Sequence, residues 1–227
     1  MKLGLRRAAA LCALSLGLCA APAAFAQSMS FKLVPVGDPS RCGAQCLELI
    51  AAEGEITDAT PKAFVDFISA NIGDRRIRSV VLFHSPGGDV RASMQLGLML
   101  RKIGAATVVA RANGSQEILA GQSGITAGRC YSACVYALMG GKKRVIPPGS
   151  RIGIHRAYTV VYSRYPAREN NGVKVDPGTT GAIIARYSDT MGISRDLIAT
   201  AQKTLPDDIH IATPQEIARW RLGTSRF

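Results

Sequence analysis

A chain of 227 residues with a net charge of +12, 47% hydrophobic, 6% aromatic and 19% charged residues carries too much aliphatic material for disorder and is long enough for one domain with a full core. Lys2, Arg6 and Arg7 supply three of those charges, leaving +9 downstream in short clusters such as Arg101-Lys102, Lys142-Lys143-Arg144 and Arg219 with Arg221. Clusters this short, with few aromatics between them, form no stacking platform for nucleic acid and read as a solvated basic surface.

The first element is an export signal. A basic start precedes an apolar run from Ala8 to Ala21, halted by Pro22 and followed by the small-x-small pattern Ala24-Phe25-Ala26. The run is short for a bilayer span, so residues 1–26 read as a cleaved signal peptide and 27–227 as the mature chain, secreted through the Sec pathway into a periplasm. No later segment is long and apolar enough to cross a membrane, so no integral membrane segment is expected after cleavage. Cys12 and Cys19 leave with the signal, and Cys42, Cys46, Cys130 and Cys134 remain. Four cysteines in an oxidising compartment favour disulfides, with three pairings open. A four-thiolate zinc site is the competing reading of two C-x-x-x-C pairs; export and spacing argue against it, and no metal is expected.

Downstream, Phe31 to Val36 is extended, and Cys46 to Ile56 reads as a strand and turn. Thr60 and Pro61 are placed to cap and open a helix through Asn71. The segment Ile77 to Phe83, with its apolar run Val80 to Phe83, predicts a buried strand. It enters the glycine turn Ser85-Pro86-Gly87-Gly88 and a helix from Asp89 to Ile103, with Val90, Met94, Leu96, Leu98 and Leu100 on or near its buried face. Ala106 to Ala110 is a strand, 112–126 a polar loop, and Ser132 to Met139 a small apolar helix ended by Gly140-Gly141. Two short strands follow, at 142–147 and 151–155. A polar insertion spans 158–177. Helices are predicted over 179–191 and 194–204, then an extended piece over 206–213. Thr213-Pro214-Gln215-Glu216 has the pattern of a capping box opening a terminal helix. Strand and helix alternate, predicting a single α/β domain with a mainly parallel sheet.

The ordered set Gly54-Glu55-Ile56, Ser85-Pro86-Gly87-Gly88, Ser132 among small residues, Gly141-Lys142-Lys143-Arg144, Pro148 to His155, Asp208 before Thr213-Pro214, and Arg221-Leu222-Gly223 resembles the proteolytic subunit of the Clp protease, within the Clp/crotonase superfamily. The resemblance runs over about 47–223 and implies a fold of superhelical ββα units. Carried over by position, it implies Ser132 as nucleophile, His155 as general base and Asp208 as the carboxylate that orients it. Gly88 and Ala133 N–H groups would form the oxyanion hole. It further implies acyl transfer on a peptide or protein substrate, no cofactor, and a homo-oligomer. The chain departs from the family at Tyr131, at His84 where asparagine is usual, at Arg156 where glutamine is usual, and throughout 158–177.

The chemistry of the residues agrees. A serine hydroxyl needs an adjacent imidazole to take its proton, and the imidazole needs a partner to fix its tautomer. His84 reads as a turn residue bonding locally rather than a second base. His210 and Asp207 are rivals to His155 and Asp208, and alternation along an extended segment would let only one aspartate face His155. A disulfide through Cys130 or Cys134 would hold the Ser132 loop covalently. With no ATP motif and an ATP-free compartment, an ATP-independent serine hydrolase with no ATPase partner is expected. The alternative is a non-catalytic scaffold presenting a groove to a peptide, lipid or envelope protein.

Overall fold

The computed structural model describes residues 27–37, 39–43, 46–71, 77–112, 124–161, 173–175, 179–224 and 226; the signal-peptide reading of 1–26 lies outside them. Eleven strands are described: β1 (Ser30–Val36), β2 (Leu47–Glu53), β3 (Ile77–His84), β4 (Ala106–Ala112), β5 (Ile125–Ala127), β6 (Arg129–Tyr131), β7 (Lys143–Val145), β8 (Arg151–Ile154), β9 (Thr159–Val161), β10 (Val173–Val175) and β11 (His210–Ile211). The helices are α1 (Pro39–Cys42), α2 (Thr60–Asn71), α3 (Val90–Lys102), α4 (Cys134–Met139), α5 (Thr180–Thr190), α6 (Arg195–Lys203) and α7 (Pro214–Arg219).

The main sheet has order β1-β2-β3-β4-β5, with β7 also paired to β4. Its centre is parallel, β2 to β3, β3 to β4 and β4 to β7, while β1 and β5 add antiparallel edges. A second sheet, β11-β8-β6, joins β6 to β8 in parallel. The bridge Ser85↔Cys130 ties it to the end of β3. Phe83, Leu96, Leu100, Leu138, Ile152 and Trp220 are fully enclosed in one core. Truncating any of the leucines to alanine costs about 2–5 kcal/mol.

Helix α3 starts at Asp89, whose carboxylate accepts the Ala92 N–H at 2.6 Å. Its buried stripe is Ala92, Ser93, Leu96, Gly97 and Leu100. Leu98, expected near that stripe, is 50% exposed, because it lies two residues, about 200°, from Leu96 on the helical wheel. Thr60 is the first residue of α2 rather than its cap, and its Oγ1 accepts the Thr57 N–H at 2.9 Å. The predicted loop 112–126 ends in a strand, β5, which pairs with the end of β4 and with nothing its own pattern announces. The motif Gly141 to Arg144 has a structural use: the Arg144 guanidinium donates to the carbonyls of Gly141, Arg221 and Leu222, tying the C-terminal turn to β7.

Both disulfides are local, Cys42–Cys46 and Cys130–Cys134, which resolves the open pairings and excludes a four-thiolate site. Among the described residues, no helix is long and apolar enough to cross a membrane.

Candidate active site

Ser132 sits between β6 and α4, one residue short of the Ala133 N-cap, and not inside the helix as its sequence suggests. Its φ is +52°; among the described residues only Arg221 is another non-glycine with positive φ. A left-handed conformation costs a side-chain-bearing residue about 1–2 kcal/mol and points to a functional constraint. The constraint is visible on both sides. The Ser132 N–H donates to Gly153 O at 2.8 Å, and the Cys130–Cys134 bridge closes over the turn.

The glycine turn packs directly beneath. A Cβ on Gly87 would lie 2.7 Å from both Ser132 Cβ and Tyr131 O, and 3.0 Å from Ala133 N. Gly87 and Gly88 have φ of +108° and +130°, so only glycine brings this backbone so close. Ser85 Oγ accepts the Gly87 N–H at 3.1 Å. Ile56 N–H donates to Gly87 O, and Asp89 N–H to Ile56 O, each at 2.7 Å. That bridge uses the atoms flanking Gly88 and turns its own N–H away. Among the described residues neither Gly88 N–H nor Ala133 N–H finds an acceptor, although Ala133 is completely enclosed. The one stands on an exposed residue and the other opens a helix, so both remain available to an incoming acceptor, and a pair of donors beside a serine is the arrangement that stabilises an oxyanion.

Helix α4 is clamped in place. Ser93, buried on α3, donates to Ala133 O and accepts the Ala137 N–H. Thr107 Oγ1 donates to Leu138 O at 2.9 Å, and Tyr187 Oη to Tyr136 O at 2.7 Å. Arg101 donates to Met139 O and Met191 O. Burial pushes the Tyr136 phenol up to about 12 and the Tyr187 phenol higher still, so neither ionises in any ordinary buffer. Ser93 escaped sequence inspection; the signal was a serine on an otherwise apolar helical stripe.

His155 follows β8, two residues beyond the Gly153 that receives the Ser132 N–H. It is partly buried, its ring 5.8 Å from that of Tyr158. Its Nδ1 lies 2.8 Å from Arg156 O. The carbonyl can only accept, so Nδ1 carries the proton and Nε2 the free lone pair. In this structure no hydrogen bond joins Ser132 Oγ to the His155 ring. Asp208 is exposed in a turn where its N–H donates to Leu205 O at 3.1 Å, and no hydrogen bond links its carboxylate to His155. Residues 206–207 are turn and β11 begins only at His210, so strand alternation does not choose between Asp207 and Asp208. His210 is engaged elsewhere: its Nε2 lies 2.9 Å from Glu216 Oε1, and its ring 6.3 Å from that of Trp220. His84 bonds across to β6 rather than within its own turn, its Nδ1 accepting the Arg129 N–H at 3.2 Å.

Two solved structures of a 1510-N membrane-bound stomatin-specific protease share this architecture. One is a serine-to-alanine mutant, the other a lysine-to-alanine mutant in complex with a substrate peptide. Each aligns at TM-score 0.51 and 19% identity over 78% of this chain, covering 78% and 74% of its own. The fold is Clp/crotonase-like. No family model matches the chain, and no curated protein does. Within the Clp/crotonase-like frame, the junction of β6 and α4, the turn after β3 and the end of β8 converge at Ser132.

Proposed function

We propose that this chain is an exported, ATP-independent serine hydrolase that cleaves peptides, with Ser132, His155 and Asp208 as its triad. The observation that carries the reading is Ser132, held at positive φ beside the two unpaired N–H groups of Gly88 and Ala133. Likeness of fold to a stomatin-specific protease supports peptides as the substrate class. The two disulfides suit an extracytoplasmic, periplasmic setting reached through cleavage after Ala26. Assembly into a homo-oligomer is part of the proposal.

In the proposed reaction, His155 Nε2 takes the Ser132 hydroxyl proton as Oγ attacks the scissile carbonyl carbon. The carbonyl oxygen becomes an oxyanion received by Gly88 and Ala133 N–H. The imidazolium then returns its proton to the leaving amine, and water, deprotonated by the same histidine, hydrolyses the acyl-enzyme. Arg156 O already fixes the imidazole tautomer, which leaves Asp208 the proposed role of stabilising the imidazolium through its charge. Beside Gly88 opens a cavity of about 800 Å³, apolar at Ile56, Met94 and Ile183 and charged at Glu55, Asp58 and Arg91, with room for a side chain of the peptide.

A scaffold reading is favoured by one observation, the absence of a Ser132–His155 hydrogen bond. Labelling of the oxidised mature chain with a fluorophosphonate, read by intact mass, separates the two. A single adduct lost in Ser132→Ala is expected; a folded protein that takes no label supports the scaffold.

A further inference from the structure

About three residues upstream of Ser132 along β6, on the outward face of the second sheet, lies a cavity unconnected with the proposed chemistry. It measures about 290 Å³, and Arg111, Arg129, Arg151 and His84 surround it above the backbone of Gly128 and Gly149. Alternation along the strands puts these cations together. In β6 Cys130 turns inward and Arg129 outward; in β8 Ile152 turns inward and Arg151 outward. The parallel register sets Arg129 directly opposite Arg151. Arg111 enters from β4, its Nε donating to Thr126 Oγ1 at 3.2 Å and its two terminal nitrogens without an acceptor among the described residues.

Like charges directly opposite each other on neighbouring strands destabilise a sheet unless something neutralises them. Nothing described does so: among the described residues none of the three arginines has a carboxylate partner. The nearby Glu53 is engaged, one oxygen accepting the Ala112 N–H at 2.8 Å and the other pairing with Lys32 at 3.1 Å. His84 adds a donor rather than a charge. Burial, together with Arg129 and Arg111 and against the opposing pull of Glu53, holds its imidazole below the ordinary histidine value. At neutral pH Nδ1 therefore accepts the Arg129 N–H and Nε2 carries a proton to donate.

We propose that this cavity is a phosphate-binding site, taking inorganic phosphate or the phosphate group of a small monoester against Arg111, Arg129, Arg151 and His84. Three guanidinium groups match a group bearing −1.5 to −2 at neutral pH better than a single carboxylate, and guanidinium forks suit its paired oxygens. The volume admits one such group with a short substituent. The site does not depend on Ser132 being catalytic.

The test is isothermal titration of the oxidised mature chain at pH 7 and low ionic strength with inorganic phosphate, glycerol 3-phosphate and acetate. The variants are Arg151→Glu, which reverses one charge, and Ala127→Glu, which places a competing carboxylate at the exposed cavity wall while keeping all three arginines. Saturable 1:1 binding of phosphate is expected, weakened about tenfold or more in each variant, with acetate much weaker. Equal binding of glycerol 3-phosphate assigns the site to monoesters, and its rejection assigns it to the free anion. Absence of saturable binding, or binding unchanged in both folded variants, overturns the proposal in favour of a diffuse basic surface.

Discussion

Ser132 holds a conformation uncommon for a residue with a side chain. Removing its side chain altogether separates strain from function: Ser132→Gly should raise stability by about 1 kcal/mol in chemical denaturation, through relief of the positive φ, while abolishing fluorophosphonate labelling. Ser132→Ala abolishes labelling without that gain. Gly88 offers the complementary test. Its missing Cβ would stand 2.0 Å from Ile56 O, so Gly88→Ala must shift the N–H that the proposed oxyanion needs. Turnover of a peptide substrate should fall about 100-fold or more in a variant that still folds. For Asp208→Asn we expect a smaller loss, about tenfold to 100-fold, because Arg156 O keeps the His155 tautomer correct when the carboxylate is gone. A fall as large as that of His155→Ala would mean that Asp208 alone orients the ring.

At the scale of elements, the turn between β6 and α4 is stapled, and the terminal helix is pinned by a charge. A disulfide spanning four positions closes so small a loop that chain entropy assigns it only about 2 kcal/mol. Reduction of Cys130–Cys134 should therefore lower the labelling rate of Ser132 far more than it lowers global stability, as rate and denaturation midpoint measured on the same reduced sample would show. Glu216 completes the capping box of α7 and meets His210. Its carboxyl is held below the usual range chiefly by the Thr213 backbone N–H, with smaller help from His210 and the Thr213 hydroxyl, against burial. A depressed carboxyl stabilises the fold above its unfolded pKa, near 4.3, and the benefit fades as pH falls through the lower folded value. Fluorescence of Trp220, the single tryptophan, enclosed at the end of α7, should report loosening below about pH 4.3. Glu216→Gln should remove that step.

Across the whole molecule, a parallel main sheet, a second sheet bridged to it at Ser85 and Cys130, and the helices share one core. The crossing of α3 and α4 depends on two glycines: a Cβ on Gly140 would lie 2.1 Å from Gly97 O. The C-terminus is held to the sheet by Arg144, whose three carbonyl partners span residues 141 to 222. Arg144→Ala should destabilise the whole domain by about 2–3 kcal/mol, measured as a lower denaturation midpoint with the slope unchanged.

Local patterns were sufficient for β3, α3 and α7, because the apolar run Val80 to Phe83, an Asp89 cap and a Thr213-to-Glu216 box act over a few residues. They were insufficient for β5, β9 and β10, three-residue strands that exist through their partners, and for Leu98, whose exposure follows from which stripe of α3 faces the sheet. In the candidate site, the serine, the histidine and the glycine turn could be read from motif order. The sequence by itself thus determined the longer elements, the α/β class and the residues assigned to the proposed chemistry. Only the tertiary structure decided the cysteine pairing, the left-handed Ser132, the orphaned N–H pair and the triple-arginine cavity. The last three depend on contacts between segments distant in the chain or on backbone angles that packing imposes, and the pairing depends on the local turn that brings each i,i+4 pair of cysteines together; motif order encodes neither.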